Sequence, residues 1–196
     1  RRFGFCLVVA ALAATAAGAQ ERGLVAHWTM DEARDGVVAD ASGKGHDATF
    51  ASAAGGQPVF APGVIGKALR LREADQAYLT VAKSEELMPA KGLTAMAWVK
   101  PSARNKTYEI LTCKGDKSGE PPWPGWRLRF FWARAAFEYG TADGKEPRVM
   151  SAEWSVPAGF WSHVAAVHDG QSIRVFVNGV ERASAPAEGD ILATKR

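Results

Sequence analysis

Three aspartates and several glycines lie close together near the start of the chain. Asp31, Asp40 and Asp47 supply hard carboxylate oxygens, and glycines such as Gly43 allow turns that expose backbone carbonyl groups. Calcium binds about six to eight oxygen ligands of this kind in a flexible geometry. The same pattern is typical of a loop whose Asp and Ser side chains bond their own backbone. The segment 31–47 is therefore a candidate calcium site, with a purely structural turn as the alternative.

Tryptophan is frequent, with seven residues in the chain. Aromatic rings stack on the apolar face of a pyranose and leave its hydroxyls to neighbouring polar groups. Trp123 stands between two prolines in a loop, so it is the best candidate for an exposed ring, with Trp126, Tyr108 and Arg127 completing a sugar site. The alternative is that these rings belong to a core. Three other tryptophans are expected in the core: Trp28, Trp98 and Trp161.

Two hairpins organise the C-terminal part of the chain. Asp169-Gly170 and Asn178-Gly179 are pairs that allow the positive φ angles of tight β-turns, and apolar residues alternate between them from 173 to 177. Further strands are predicted at 24–30, 68–71, 78–81, 93–99, 108–114, 127–132, 135–139 and 149–154, with 68–71 paired to 78–81. Many short strands without an ordinary helix predict an all-β fold, an antiparallel β-sandwich.

The first nineteen residues have the features of a secretory signal peptide. Two arginines precede an apolar run from 6 to 14, and small residues at 17–19 precede Gln20. We predict a signal peptide at 1–19, cleaved near Ala19/Gln20, and a secreted or periplasmic domain at 20–196. Without 1–19 the chain has 22 basic and 21 acidic side chains, which gives no argument for nucleic-acid binding. No later segment is long and apolar enough to span a bilayer.

Five short motifs occur in order along the chain. They are Gly-Leu-Val-Ala-His-Trp at 23–28, Asp-Ala-Ser-Gly-Lys-Gly-His-Asp at 40–47, Gly-Lys-Ala-Leu-Arg-Leu at 66–71, Ala-Met-Ala-Trp-Val-Lys-Pro at 95–101 and Trp-Ser-His-Val-Ala at 161–165. In this order and spacing they resemble the LamG-like jellyroll domain (laminin G type 3) of the concanavalin A-like lectin and glucanase superfamily. The resemblance covers 23–185 and implies a jelly roll. The 40–47 loop departs from the family pattern at His46, where Asn is usual.

The resemblance also bears on the calcium loop and on the C-terminal end. Many domains of this kind hold a structural calcium ion with this loop and an acidic residue of the final strand. They usually close with two more strands, and nothing in 188–196 matches these. We therefore expect the domain to be truncated at its C-terminus, with the last ligand of any Ca2+ site in the missing strands.

Known catalytic patterns are absent from the sequence. Glycanases of the superfamily carry a Glu-x-Asp-x-x-Glu-type strand with two carboxylates on one face, and neither this run nor a nucleophile elbow occurs. The prediction is a secreted, non-catalytic recognition module that binds carbohydrate or an extracellular glycoconjugate and is not embedded in a membrane. Two alternatives stay open: an adhesion or structural module that binds protein, and an accessory domain or fragment of a glycan-active hydrolase.

Overall fold

The computed structural model describes residues 23–114 and 124–193. This part of the chain contains two short 3-10 helices, Glu73–Asp75 and Glu85–Leu87, and is otherwise built from strands and loops. The strands are β1 (Val37–Val38), β2 (Ala48–Ser52), β3 (Val59–Pro62), β4 (Lys67–Arg70), β5 (Ala77–Val81), β6 (Leu93–Val99), β7 (Thr107–Lys114), β8 (Gly125–Phe131), β9 (Arg134–Tyr139), β10 (Arg148–Met150), β11 (Ser162–His168), β12 (Ser172–Val177) and β13 (Val180–Pro186).

Two four-stranded antiparallel sheets pack face to face. The front sheet has the order β10-β9-β8-β7 and the back sheet the order β13-β12-β11-β6. Strands β9 and β10 of the front sheet contact β12 of the back sheet across the interface. A three-stranded sheet, β1-β2-β5, and the hairpin β3-β4 complete the described strands. The predicted all-β antiparallel sandwich is confirmed.

The hydrophobic core lies between the front and back sheets. In β12 the alternate residues Ile173, Val175 and Val177 are fully buried, as their spacing in the sequence predicts. Leu128 of β8 and Phe137 of β9 pack into the same cluster from the front sheet. Burying one large apolar side chain is worth about 1.5–3 kcal/mol, so these rows supply the main stabilisation. The same alternation decides which side chains of each strand face away from the core.

Both predicted C-terminal turns form. Asn178 and Gly179 have φ angles of 53° and 77° and make a two-residue loop between β12 and β13. At the other turn Gly170 has a φ of 89°, and the Asp169 carboxylate accepts hydrogen bonds from the N–H groups of Gln171 (2.9 Å) and Ser172 (2.7 Å). The turn residues therefore fix the register of the back sheet.

Two predictions about the N-terminal half are wrong. Strand β4 pairs with β3, and β5 pairs with β2, so the predicted pairing of 68–71 with 78–81 does not form. Residues 24–30 are not a strand, because this backbone bonds the 40–47 loop instead of a neighbouring strand. The N–H of His27 donates to Asp40 Oδ1 (2.9 Å), and its carbonyl accepts from the N–H of Ala41 (2.7 Å).

The tryptophans expected in the core are less buried than predicted. Trp98 is 46% exposed, because the alternation of β6 turns Ala95 into the core and Trp98 outward, where its ring meets His163 edge-on at 5.3 Å. Trp28 and Trp161 are half-buried. Core position in this sandwich follows the two-residue period of each strand more closely than side-chain size.

The predicted signal peptide at 1–19 lies outside the described residues. The helices that the structure describes are both too short to cross a membrane.

Candidate functional site

A groove at one end of the sandwich is lined by two tryptophans. Trp132 lies in the turn between β8 and β9, and Trp154 in the loop that follows β10. The two residues are 58% and 59% exposed. The groove has a volume of about 330 Å³ and is completed by four further residues: Arg104, Asn105, Ala133 and Glu153. This volume falls in the range of about 300–1,000 Å³ typical of small-molecule sites.

Backbone hydrogen bonds join the three loops that form the groove. The N–H of Trp132 donates to the carbonyl of Lys106 (3.1 Å), which ties the β8–β9 turn to the loop after β6. The N–H of Val156 donates to the carbonyl of Ala133 (3.0 Å), which ties the same turn to the loop after β10. The groove walls are therefore held in place before any ligand binds, and this lowers the ordering cost of binding.

Three residues of the groove have a left-handed backbone conformation that favours glycine. The φ angles are 50° at Trp132, 61° at Ala133 and 64° at Trp154. Such angles are uncommon for bulky residues and cost about 1–3 kcal/mol each. The Asn178–Gly179 turn uses residues suited to the same geometry. Keeping Trp and Ala in the groove is thus costly to folding, and strain of this kind concentrates at functional sites.

Polar side chains line the groove together with the two rings. The guanidinium carbon of Arg104 lies 5.2 Å from the centre of the Trp154 ring, within the range of a cation–π contact. Arg134, at the start of β9, forms an ion pair with Glu153. Asn105 adds an amide with both donor and acceptor capacity. The arrangement suits a ligand with an apolar face and several hydroxyl groups.

Two of the residues predicted to bind sugar point into the sandwich. Trp126 is 8% exposed, and its indole N–H donates to the carbonyl of Leu87 (3.1 Å). Tyr108 packs against the core, with its ring stacked on Phe130 at a centroid distance of 5.9 Å. Trp126 is buried and Tyr108 is half-buried, so neither ring is fully exposed to a ligand.

Arg127 lies on the outer face of the front sheet, in a cluster around one buried carboxylate. Its Nε is 3.4 Å from Glu138 Oε1, and Arg129 NH1 lies 2.7 Å from the same oxygen. Arg148 Nε lies 2.7 Å from the second oxygen, Oε2. Trp123, the fourth predicted residue, lies outside the described residues. Trp126, Tyr108 and Arg127 are thus not brought together in one site.

Asp40 in the candidate calcium loop is already bonded by protein donors. Its Oδ1 accepts from the N–H groups of His27 and Ser42, both at 2.9 Å. Its Oδ2 accepts from the N–H of His46 (3.0 Å) and the hydroxyl of Ser42 (2.7 Å). Burial acts to raise the pKa of Asp40, but these hydrogen bonds outweigh it and lower the pKa to about 2. The carboxylate acts as the centre of a turn.

The other predicted calcium ligands serve different contacts. Asp47 Oδ1 accepts from the N–H of Asp40 (2.8 Å), whereas Asp31 Oδ1 accepts from the N–H of Lys67 (2.7 Å) at the start of β4. Gly43 has a φ of 78° and shapes the turn. Across 23–114 and 124–193, no three His, Cys, Asp or Glu side chains are grouped to hold a metal ion. In this arrangement the three carboxylates accept hydrogen bonds from backbone N–H groups, and the calcium site stays a prediction.

Comparison with known proteins places the fold in a family. A family model described as the concanavalin A-like lectin/glucanases superfamily matches residues 73–196. No curated protein sequence matches the chain.

Three solved structures illustrate the likeness. Domain 4 of AbnA, a GH43 extracellular arabinanase from Geobacillus stearothermophilus, in complex with arabinotriose, has a TM-score of 0.54 and 20% identity, over 86% of this chain and 77% of that one. The binding domain of Paraclostridial Mosquitocidal Protein 1 has a TM-score of 0.59 and 14% identity, over 82% of this chain and 41% of that one. The binding domain of botulinum neurotoxin serotype G has a TM-score of 0.58 and 15% identity, over 79% of this chain and 38% of that one. The chain spans less than half of these toxin domains, and at such identities the likeness shows the fold.

Proposed function

The chain belongs to the concanavalin A-like lectin/glucanases superfamily, and on this basis we propose that it is a recognition module that binds carbohydrate in the Trp132–Trp154 groove. The observation that carries the proposal is the pair of exposed rings held in strained backbone around one cavity. Because stacking needs an open ring face, the position of these two residues matters more than the total number of tryptophans. The complex of AbnA domain 4 with arabinotriose supports the proposal, since it is a domain of similar fold with a bound oligosaccharide.

The contacts that a sugar would make follow from the groove. A pyranose or furanose ring would stack on Trp132, and its hydroxyls would bond the amide of Asn105 and the ion pair of Arg134 with Glu153. Charged partners make the stronger hydrogen bonds. Trp154 would contact the same sugar or the next one along the chain.

Replacing Trp132 by asparagine is expected to weaken binding of the recognised polysaccharide about tenfold or more without lowering the melting temperature. The ring is lost, while asparagine tolerates the left-handed φ of 50° better than tryptophan does. Trp154→Asn, at a φ of 64°, should behave in the same way. Affinity electrophoresis in gels containing single polysaccharides measures binding, and thermal unfolding measures stability.

Trp98→Ala is the matched control, because it removes an exposed tryptophan from the back sheet. It should leave polysaccharide binding unchanged. Equal loss of binding in Trp98→Ala and Trp132→Asn, or unchanged binding in both groove variants, would overturn the proposal.

An adhesion module is the second candidate, and the outer face of the back sheet favours it. Met96 and Trp98 of β6 are 55% and 46% exposed on this face, an apolar pair suited to a protein partner. Capture of a protein partner by the wild type but not by Trp98→Ala, with no polysaccharide bound, would support this candidate over the groove.

We propose a non-catalytic role for the groove. Glycosidases need two carboxyl groups about 5–9.5 Å apart on either side of the scissile bond. Glu153 is engaged by Arg134, and Glu138 belongs to the arginine cluster on the front sheet. As an accessory domain of a glycan-active hydrolase, the module would hold the polysaccharide for a catalytic domain elsewhere. Release of reducing sugar by the purified chain would contradict the non-catalytic role.

We also propose that the protein is secreted or periplasmic. The positive, apolar and small-residue segments of 1–19 support an export signal. The exported protein should begin at Gln20, and intact-mass measurement of that protein checks the cleavage position. A mass that retains residues 1–19 would be inconsistent with a cleaved signal.

A further inference from the structure

Arg104 differs from the other cationic groups near the groove. Lys106 is paired with Glu73 at 3.0 Å, and Arg134 is paired with Glu153. Among the described residues no carboxylate forms an ion pair with Arg104, whose contact is the Trp154 ring. The groove therefore presents one arginine charge that its own walls do not neutralise.

The contact with Trp154 limits the positions that the Arg104 side chain adopts. A guanidinium group lying 5.2 Å from the ring centre is held at the groove wall, facing the cavity that it shares with Trp132. Arginine presents a planar fork of N–H donors that matches the two oxygens of a carboxylate or sulfate. Because part of the side-chain entropy is already lost, such a pair forms at lower cost.

We propose that the ligand of the groove is an anionic glycan, with a sugar ring stacked on Trp132 and a carboxylate or sulfate group paired with Arg104. This inference rests on the proposed carbohydrate-binding function and adds the class of sugar to it. With a neutral glycan the exposed Arg104 guanidinium would keep only the Trp154 ring and solvent as partners, whereas an acidic glycan supplies a carboxylate or sulfate for it. Arg104 then provides the selectivity for charge, and Trp132 provides the stacking.

Matched polysaccharide pairs test the inference. Polygalacturonate, alginate and hyaluronate are each compared with their carboxyl-reduced, neutral forms, and dextran sulfate with dextran. The wild type should bind at least one acidic member about threefold to fivefold more tightly than its neutral counterpart, since an ion pair made by an exposed arginine contributes up to about this factor. The carboxylated and sulfated arms distinguish the two sources of negative charge.

Arg104→Gln should remove this preference, lowering affinity for the acidic form to near that for the neutral form. Arg104→Lys keeps the charge but not the fork, and should restore part of the preference. Arg182→Gln is the matched control, since Arg182 is an exposed arginine on β13 that does not line the groove. It should leave the preference intact.

Three results would overturn the inference. Equal affinity of the wild type for the acidic and neutral members of every pair, with Trp132→Asn abolishing binding, would leave carbohydrate binding in place and remove the anionic class. An equal effect of Arg182→Gln and Arg104→Gln would show general charge attraction and no site. Absence of binding to every polysaccharide would overturn both the inference and the function on which it rests.

Discussion

Replacing Glu138 by glutamine is expected to destabilise the protein by about 3–5 kcal/mol. The Glu138 side chain is only 6% exposed, and the guanidinium groups of Arg127, Arg129 and Arg148 surround it. Glutamine keeps the shape but removes the negative charge, so three cationic groups are left around a neutral residue. Removing one partner of a buried ion cluster costs far more than the net value of the cluster, because the side chains of Arg127 and Arg129, 16% and 22% exposed, have already lost most of their water. Urea unfolding of wild type and variant measures the change in free energy.

Glu32→Gln is the control for this result. Glu32 pairs with Arg34 at 3.0 Å, but the two side chains are 66% and 84% exposed. Exposed pairs contribute about 0–1 kcal/mol, so this variant should unfold at nearly the wild-type urea concentration. Similar changes in the two variants would show that burial of Glu138 does not govern the stability of the cluster.

The Glu138 cluster also bears on the groove. Arg129 and Glu138 lie on β8 and β9, the two strands joined by the turn that carries Trp132. Cross-strand ion pairs hold this hairpin from its outer face, while Leu128 and Phe137 hold it from the core. The position of the Trp132 ring therefore depends on the stability of the hairpin, and Trp132→Asn tests the ring without disturbing these contacts.

Much of the sandwich is readable in the sequence because its strands follow a strict two-residue period. The predicted strand at 93–99 matches β6, and the apolar alternation between 173 and 177 lies in the core. The same two-residue period could also have predicted that Trp126 lies in the core and not in a sugar site. It falls on the same side of β8 as Leu128 and Phe130, and all three are buried.

The groove was harder to predict, since its signal is a mismatch between residue and conformation. The sequence predicts a strand through Trp132, whereas the chain turns there with only Trp132 and Ala133 between β8 and β9. The sequence does predict a hairpin of 127–132 with 135–139, but two-residue turns of this kind favour Asn and Gly, so the residue types give no reason to place the turn one residue earlier, at Trp132 and Ala133. Trp154 lies in a loop that the sequence predicts as the end of a strand. The two rings come together only through the meeting of loops that are distant in sequence.

The candidate calcium loop shows a different limit of sequence reasoning. A metal site and a hydrogen-bonded turn both need carboxylates among glycines, so the residue types in 31–47 are compatible with either. What distinguishes them is the direction of the donors around Asp40, one of which comes from His27, thirteen residues earlier. This distant contact has no counterpart in the local motif.

Replacing Asp40 by asparagine is expected to destabilise the protein by about 2 kcal/mol at neutral pH. The carboxylate accepts from the N–H groups of His27, Ser42 and His46 and from the Ser42 hydroxyl, and an amide NH2 group would face some of these donors. Its pKa is about 2 in the folded protein against an ordinary value of 3.8. Because the folded pKa is the lower one, the ionised carboxylate stabilises the fold fully above pH 3.8, and this contribution is lost as the pH falls towards 2.

The pH dependence separates this interpretation from a general packing defect. The difference in unfolding free energy between wild type and Asp40→Asn should be constant above about pH 5 and should shrink as the pH falls from 3.8 towards 2, whereas a packing defect would persist in acid. Ser42→Ala removes a single hydroxyl donor and should cost less, about 1 kcal/mol. Since both Asp40 oxygens are bonded by protein donors, we expect EDTA to leave the melting temperature of the wild type unchanged. A fall in melting temperature with EDTA that Ca2+ reverses would instead support the calcium prediction, with the loop rearranged around the ion.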